Sequence, residues 1–219
     1  MLVHINHGAH GALGNFPEKT VFNDKESEAS RRMREVDDWE LVAQAQAGDM
    51  AAFAALVRRY QAPVMHFCRR MVGSPQDAEE LAQECFVRLH RHLRRLQPRA
   101  RFSTMLFGIA RNLALNAVRD ASRRPAHAPP EELGRPVPDT AASPARRAQV
   151  REIESALEQG LAMLSPEHRE VILLREFQGM DYETMARVLR CRKGTVRSRL
   201  ARAREQLREH LIALGGELL

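Results

Sequence analysis

The stretch Asp181-Tyr-Glu-Thr-Met-Ala-Arg-Val-Leu-Arg-Cys-Arg-Lys-Gly-Thr-Val-Arg-Ser-Arg-Leu-Ala-Arg-Ala-Arg204 decides how this chain folds. Asp181 can cap a short helix over Tyr182 to Leu189; three or four residues later a long basic helix starts near Gly194. Two helices joined by so short a turn have the dimensions of a helix-turn-helix. At about 100° per residue, Val196, Leu200, Ala203, Leu207 and Leu211 share one narrow sector, which packs inward. The opposite sector is centred on Ser198, Ala201 and Arg202, with Arg197 and Arg204 on one flank and Arg199 on the other. That face suits a major groove. A forked guanidinium grips a guanine edge with two hydrogen bonds, flanking arginines reach phosphates, and small Ser198 and Ala201 permit close approach. A solvated arginine-rich helix is the plain alternative, but it would not require the short helix and turn in front of it.

Working upstream, Ser165-Pro166-Glu167 supplies a cap and a first-turn proline for a helix that Gln178-Gly179 ends. Helical spacing also runs from about Ala145 to Leu164. Before it, a stretch from Arg124 to Pro144 holds six of the eleven prolines and reads as a linker. Ser103 is expected to cap a helix from Thr104 to Arg123, and Ser74-Pro75 to open one that reaches about Leu93. Further back, Trp39, Val42 and Ala43, then Phe53, Leu56, Val57 and Tyr60 beyond the Gly48-Asp49 break, mark two helices. Pro63 is expected to bend or interrupt the second. With no strand signal and no repeat, the fold expected is all-α. It comprises a helical bundle over 37–124, a Pro-rich flexible linker over 125–148 and a helix-turn-helix domain over 149–214. Residues 1–36 mix Gly, His, Asn and acids without periodicity and read as a disordered N-terminal extension, within which Met33 offers an alternative start. Its His4, His7 and His10 are too sparse a donor set to assign a metal.

Composition narrows the function. Among 219 residues, 44% are apolar and 28% charged, and no run approaches the roughly 20 apolar residues of a membrane helix, so a cytoplasmic protein without membrane insertion is expected. Cys68, Cys85 and Cys191 are odd in number and far apart, so they read as small buried apolar residues. The net charge of +6 is unevenly held. Residues 88–124 carry +9 and residues 190–208 carry +7, while the rest of the chain is net acidic. Two separated basic blocks suit two surfaces that meet a polyanion. Codon bias can explain why only Lys19, Lys25 and Lys193 are lysines, but not the clustering. No phosphate-cradling glycine loop, nuclease-type acid pair or His/Cys metal set is present, so no catalytic residue, cofactor or metal ligand is assigned.

Two further helix faces stand out. Asn112, Asn116, Arg119 and Arg123 fall at i, i+4, i+7 and i+11, opposite an apolar sector of Met105, Leu106, Ile109, Ala110, Leu113, Ala114 and Ala117. Asparagine amides both donate and accept, which suits the edges of unpaired bases, while arginines hold backbone. Ordinary surface polarity is the alternative. On the helix from Asp77, Leu81, Ala82, Cys85, Phe86, Leu89 and Leu93 face the core and Glu80, Gln83, Glu84, Val87 and Arg91 lie opposite. An exposed valine ringed by charges fits a protein partner, or simply solvent.

Four motifs, taken in order, closely resemble the extracytoplasmic-function subfamily of bacterial sigma-seventy-type RNA polymerase sigma factors. They are Asp77-Ala-Glu-Glu-Leu-Ala-Gln-Glu-Cys-Phe86, Phe102-Ser-Thr-Met-Leu-Phe-Gly-Ile-Ala-Arg-Asn-Leu-Ala-Leu-Asn116, Leu164-Ser-Pro-Glu-His-Arg169 and Gly194-Thr-Val-Arg-Ser-Arg-Leu-Ala-Arg-Ala-Arg204. The resemblance covers about residues 38–212. It implies that Glu80, Gln83, Glu84, Val87 and Arg91 dock on the clamp helices of the polymerase largest subunit. It implies that Leu96, Arg111, Asn112, Asn116, Arg119 and Arg123 serve the minus ten element, with Asn112 and the loop around Leu96 near a base extruded from the nontemplate strand. Lys193, Thr195, Arg197, Ser198, Arg199, Arg202 and Arg204 would read the minus thirty-five element, and their domain would also touch the polymerase flap. The linker would pass near the RNA exit path, and an anti-sigma factor would be a further partner.

The sequence departs from the family where Met105 and Phe107 replace a common Trp and Tyr, Gly108 a usual Arg, and Leu96 a frequent aromatic. Weaker intrinsic melting or an altered minus ten preference is expected. Residues 1–36 have no counterpart in the subfamily's short form. The competing reading is a helix-turn-helix regulator with a sensory or dimerising N-terminal domain, which would need neither the Glu80-to-Leu93 face nor the Asn112 stripe.

Overall fold

A computed structural model describes residues 36–123 and 144–215. The N-terminal extension with its histidines and Met33, and the linker residues 124–143, lie outside the described residues. The remainder is eight α-helices, with no strand among the described residues.

Helix α1 (Asp38–Gln46) starts where the Asp37 carboxylate accepts from the Trp39 amide, satisfying one of the free N–H groups of the first turn. Asp49 caps α2 (Met50–Val72) in the same way, through the Ala51 and Ala52 amides. Of the two expected effects, interruption does not occur: α2 runs on through Pro63 and buries Val64, Phe67, Cys68 and Met71 beyond it. That burial offsets the hydrogen bond the proline removes. Gly73, at φ 81°, ends the helix in the left-handed conformation that only glycine adopts without strain. Ser74 caps α3 (Pro75–His92), with Pro75 in its first turn, and a tight turn over Leu93–Arg95 follows.

Helix α4 (Phe102–Arg123) begins earlier than expected: Ser103 lies inside its first turn and not at the cap. The cause is Phe102, which is buried against Trp39 and Tyr60, at centroid distances of 6.1 and 5.2 Å, and draws the helix start with it. Helices α1 to α4 enclose one core around Leu41, Leu56, Phe67, Leu89, Leu106 and Phe107.

Helix α5 (Pro144–Met163) starts at Pro144, within the stretch counted as linker, and is followed by α6 (Pro166–Ile172), capped by Ser165. Leu173–Phe177 continues α6 as one wider turn, and Gly179, at φ 61°, turns the chain into α7 (Tyr182–Leu189). Asp181 caps α7, accepting from the Thr184 amide at 2.8 Å and its hydroxyl at 3.0 Å, bonds that hold its carboxyl below the usual range. Arg190 then takes a left-handed step, at φ 52°, and α8 (Lys193–Gly215) follows. Val196, Leu200 and Ala203 of α8 are buried, as the apolar stripe requires, where α8 packs on α6 and α7, while Leu207 and Leu211 are half-buried. Helix α5 packs on α8 so closely that a Cβ on Gly160 would stand 2.9 Å from Leu207.

The described residues form one unit, in which α4 lies along α7 and α6, and α2 touches α5 and α6. Cys68 and Cys85 are buried as expected, with their thiols pushed up to about 12 by burial; Cys191, in the turn before α8, is only half-buried.

Candidate nucleic-acid interface

The outer face of α8 follows from its stripe. With Val196, Leu200 and Ala203 inward, Arg197, Ser198, Ala201, Arg202 and Arg204 are exposed on the other side, with Lys193 at the helix start. The Ser198 hydroxyl donates to the Thr195 carbonyl at 3.1 Å, turning it back onto its own helix. The arginines differ in how they are held. Arg204 donates two hydrogen bonds to Glu176, at 3.0 and 2.6 Å, and the Arg197 guanidinium stands 5.8 Å from the centre of the Tyr182 ring. Arg199 is turned inward, 26% exposed, with a nitrogen 2.9 Å from Glu167 and another 3.9 Å from Glu170. Lys193 lies 3.9 Å from Glu183. Arg202 is exposed and forms no ion pair among the described residues.

On α4, Leu106, Phe107, Ala110, Leu113 and Ala114 are buried, leaving Asn112 half-buried and Asn116 and Arg119 exposed. Arg123 closes the helix, and its side chain lies outside the described residues. The preceding loop is held from α1. The Gln46 amide donates to the Leu93 and Leu96 carbonyls at 2.8 and 3.0 Å, and the Trp39 indole N–H donates to the Ala100 carbonyl at 2.9 Å. Leu96 itself is half-buried. Phe107, at the position of a common family aromatic, is buried with its ring 5.7 Å from Phe67, so it is a core residue unavailable for stacking on a base.

Arg111 stands apart from the stripe. Only 14% exposed, it donates from Nε and one terminal nitrogen to the Glu170 carboxylate at 2.7 and 3.1 Å, a two-pronged pair that fits a guanidinium fork. Glu170 is fully buried; burial pushes its carboxyl up, and the bonds from Arg111 oppose that rise. Beside it, Arg169 donates to the Leu161, Ala162 and Leu164 carbonyls at the end of α5 and to the Met71 carbonyl at the end of α2. Sequence reasoning passed over both residues. The signal for Glu170 was there: it sits three and four residues before Leu173 and Leu174, an acid within the apolar stripe of its own helix, where a charge persists only with a partner.

The Glu80, Gln83, Glu84, Val87, Arg91 set lies together on the outer side of α3. Val87 is 42% exposed, and with Phe53, Phe86, His90 and Arg91 it lines a shallow hollow of about 320 Å³. Arg88 donates to Glu84 at 2.7 Å, which holds that carboxyl below its ordinary range.

No group of three or more His, Cys, Asp or Glu side chains among the described residues is arranged to hold a metal, and no described helix is long and apolar enough to cross a membrane. Comparison with known proteins gives these faces a context. Residues 56–124 match the family model for Sigma-70 region 2, and residues 154–207 that for Sigma-70, region 4. The RNA polymerase sigma-H factor of Pseudomonas aeruginosa is 36% identical over 179 residues, covering 78% of this chain and 91% of the relative. The ECF RNA polymerase sigma-E factor of Haemophilus influenzae is 33% identical over 180 residues, covering 79% and 94%. Among solved structures, CnrH in complex with the cytosolic domain of CnrY superposes with a TM-score of 0.60 at 28% identity, over 80% of this chain and 97% of that one. The sigma factor RpoE of Bartonella quintana, solved with the anti-sigma factor NepR, shares the fold at a TM-score of 0.57 and 23% identity, over 73% and 96%. The two matched regions, in order and at this identity, place the chain in the extracytoplasmic-function subfamily of the sigma-70 family: it is an RNA polymerase sigma factor and not an enzyme.

Proposed function

We propose that this sigma factor divides its work among three helix faces: α3 docks on the clamp helices of core polymerase, α4 and the loop before it engage the minus ten element, and α8 reads the minus thirty-five element. The observation that carries the division is the contrast between the faces. Helix α3 presents an exposed Val87 at an apolar hollow lined also by Phe53, Phe86, His90 and Arg91, with Glu80, Gln83 and Glu84 on the same helix, the make-up of a protein contact. Helix α8 presents small Ser198 and Ala201 among arginines, the make-up of a groove contact. Asn112 and Asn116 are positioned for base edges, so that bases held out of the stack favour the melted state without any nucleotide hydrolysis.

The domain limits that accompany this division are 37–124 and 149–214, with the connection between them passing near the RNA exit path. The protein acts in the cytoplasm, and an anti-sigma factor regulates it by covering the α3 face, holding it at the membrane where that inhibitor is anchored there.

Transcription by reconstituted core polymerase on a fragmented genomic library tests the whole reading and yields the promoter sequence with it. The expected result is a small set of transcripts that depend on this chain and share two upstream elements. Specific duplex binding by the isolated chain, without polymerase-dependent transcripts, would identify an independent helix-turn-helix regulator instead.

A further inference from the structure

Helix α1 has no face assigned to DNA or polymerase, yet two of its side chains hold the two ends of the loop before α4. At the near end, the Gln46 amide donates to the Leu93 and Leu96 carbonyls, at 2.8 and 3.0 Å. At the far end, the Trp39 indole N–H donates to the Ala100 carbonyl at 2.9 Å, just before Phe102 opens α4. Residues 39 and 46 are two helical turns apart, so both pins stand on one side of α1, about 10 Å from each other. Helix α1 is itself fixed. Leu41, Val42 and Ala45 are buried, and Asp38 accepts from the Tyr60 hydroxyl and the Arg59 guanidinium of α2, each at 2.5 Å.

Between the pins the loop is stiff at its tip. Pro98 presets its own φ, and the Arg99 N–H closes a three-residue turn on the Gln97 carbonyl at 2.8 Å. The Arg99 Nε then donates to the Gln97 side-chain oxygen at 3.0 Å. Arg94, Arg95, Gln97 and Arg99 are exposed around this tip. A stiff tip goes where its ends are held, so the two pins set the position of the whole loop.

Resting on the assignment of this loop and α4 to the minus ten element, we propose that Trp39 and Gln46 are positioning residues for promoter opening, and that α1 is a bracket holding the loop in the shape that receives an unstacked base of the nontemplate strand. Neither touches DNA; both act through the loop. Gln46 is exposed and its two acceptors belong to the loop, so losing its amide leaves the buried core of α1 to α4 as it is. What is lost is the preset arrangement. A loop that samples other shapes binds a flipped base more weakly by the fraction of time it spends in the competent one. Discrimination between bases falls as well, because hydrogen bonds to a base edge weaken steeply when the approach is misaligned.

The test uses the full chain with core polymerase on a promoter recovered by genomic-library transcription. 2-Aminopurine, which brightens on leaving the stack, replaces each nontemplate minus ten base in turn. Gln46→Met keeps the length of the side chain and removes both donors. Trp39→Phe keeps an aromatic ring beside Phe102 and removes the N–H. Each is expected to slow the rise in fluorescence about five- to tenfold and to narrow the preference for the best base at one minus ten position by a similar factor. The thermal midpoint of the free chain and affinity for the upstream duplex hold at wild-type values. Gln46→Lys restores a donor that can reach the carbonyls and is expected to recover most of the rate. Should circular dichroism show Trp39→Phe unfolded, the two Gln46 variants carry the test. Wild-type kinetics and base preference in folded Gln46→Met would overturn the bracket. So would a slowing equal for every base that lysine does not relieve, which is the signature of a weakened fold. Both outcomes leave the assignment of the loop standing if wild type unstacks a minus ten base. A wild type that brightens no nontemplate position would remove that assignment instead.

Discussion

Replacing Arg169 by methionine is expected to cost the fold about 2–4 kcal/mol, a figure that follows from what its guanidinium touches. Three carbonyls at the end of α5 accept from it, those of Leu161, Ala162 and Leu164, at 2.8, 2.6 and 3.1 Å, and the Met71 carbonyl at the end of α2 accepts at 2.8 Å. A fifth contact, to the Arg70 carbonyl at 3.5 Å, is too long to count for much. Each bond from a charged donor contributes roughly 1.5–3 kcal/mol before correction. Two effects reduce the sum. Burial holds the Arg169 guanidinium below its ordinary range, which is the desolvation cost set against those bonds, and the exposed Ala162 lets water replace part of what is lost. A cation at the negative end of a helix adds roughly 0.3–1 kcal/mol, and here two helix ends share it. Methionine preserves the packing of the stem while leaving the carbonyls without their donor. Urea unfolding of the full chain reads the effect as a fall in midpoint of roughly 1–2 M, given a slope of about 2 kcal/mol/M. Lysine, a single ammonium that cannot reach both helix ends at once, is expected to recover no more than half. A midpoint within about 0.3 M of wild type for Arg169→Met would refute the reasoning, since water would then be as good a cap as the guanidinium.

The remaining expectations concern the three faces. Arg202→Ala should weaken recognition by roughly 1–3 kcal/mol and relax discrimination at one upstream base pair, measured by transcription from a promoter set randomised there; unaltered selectivity would remove Arg202 from the reading face. Glu84→Arg breaks only the exposed pair with Arg88, so the thermal midpoint should hold while core polymerase no longer co-purifies; retained co-purification would argue against α3 as the docking face. Asn112→Ala should lower the permanganate reactivity of promoter thymines more than it lowers duplex affinity, and equal reactivity would count against a role in opening. Gly108→Arg should fold normally, because a Cβ there meets nothing within 4 Å, and should increase opening at a weakly matched promoter by supplying the charge the family usually has; no increase would mean that a cation at this position does not reach the DNA.

What could be read in advance was whatever one helix dictates to itself. Ser74-Pro75 and Ser165-Pro166 marked helix starts because a side-chain acceptor and a preset φ act within four residues. The inward stripe of α8 followed from its period alone, and so did the exposure of Val87 on α3. The misreadings arose where a partner distant in sequence outweighed the local signal. Pro63 ends a helix only if nothing beyond it is worth burying, and Val64, Phe67 and Met71 are buried. Ser103 would cap α4 if Trp39 and Tyr60 were not holding Phe102. Arg111 and Arg199 were legible as basic residues on promising helices, but their engagement with Glu170 and Glu167 depends on α4 and α6 meeting 59 residues apart in sequence. Segment charge could place the basic blocks; it could not say which arginines are already neutralised.

The ring of Phe107, lodged against Phe67, bears on how choosy this factor is at its promoters. Aromatic faces accept any base with similar readiness, so a factor rich in them opens DNA broadly. Here the Phe107 ring is confined to the protein interior, and the proposed base contacts, half-buried Asn112 and exposed Asn116, would discriminate by the pattern of donors and acceptors on a base edge. Under the proposed roles of Asn112 and Asn116, the chain trades vigour for stringency. Near-miss promoters stay shut, and a single base change in the minus ten element weighs more heavily than it would on a stacking platform.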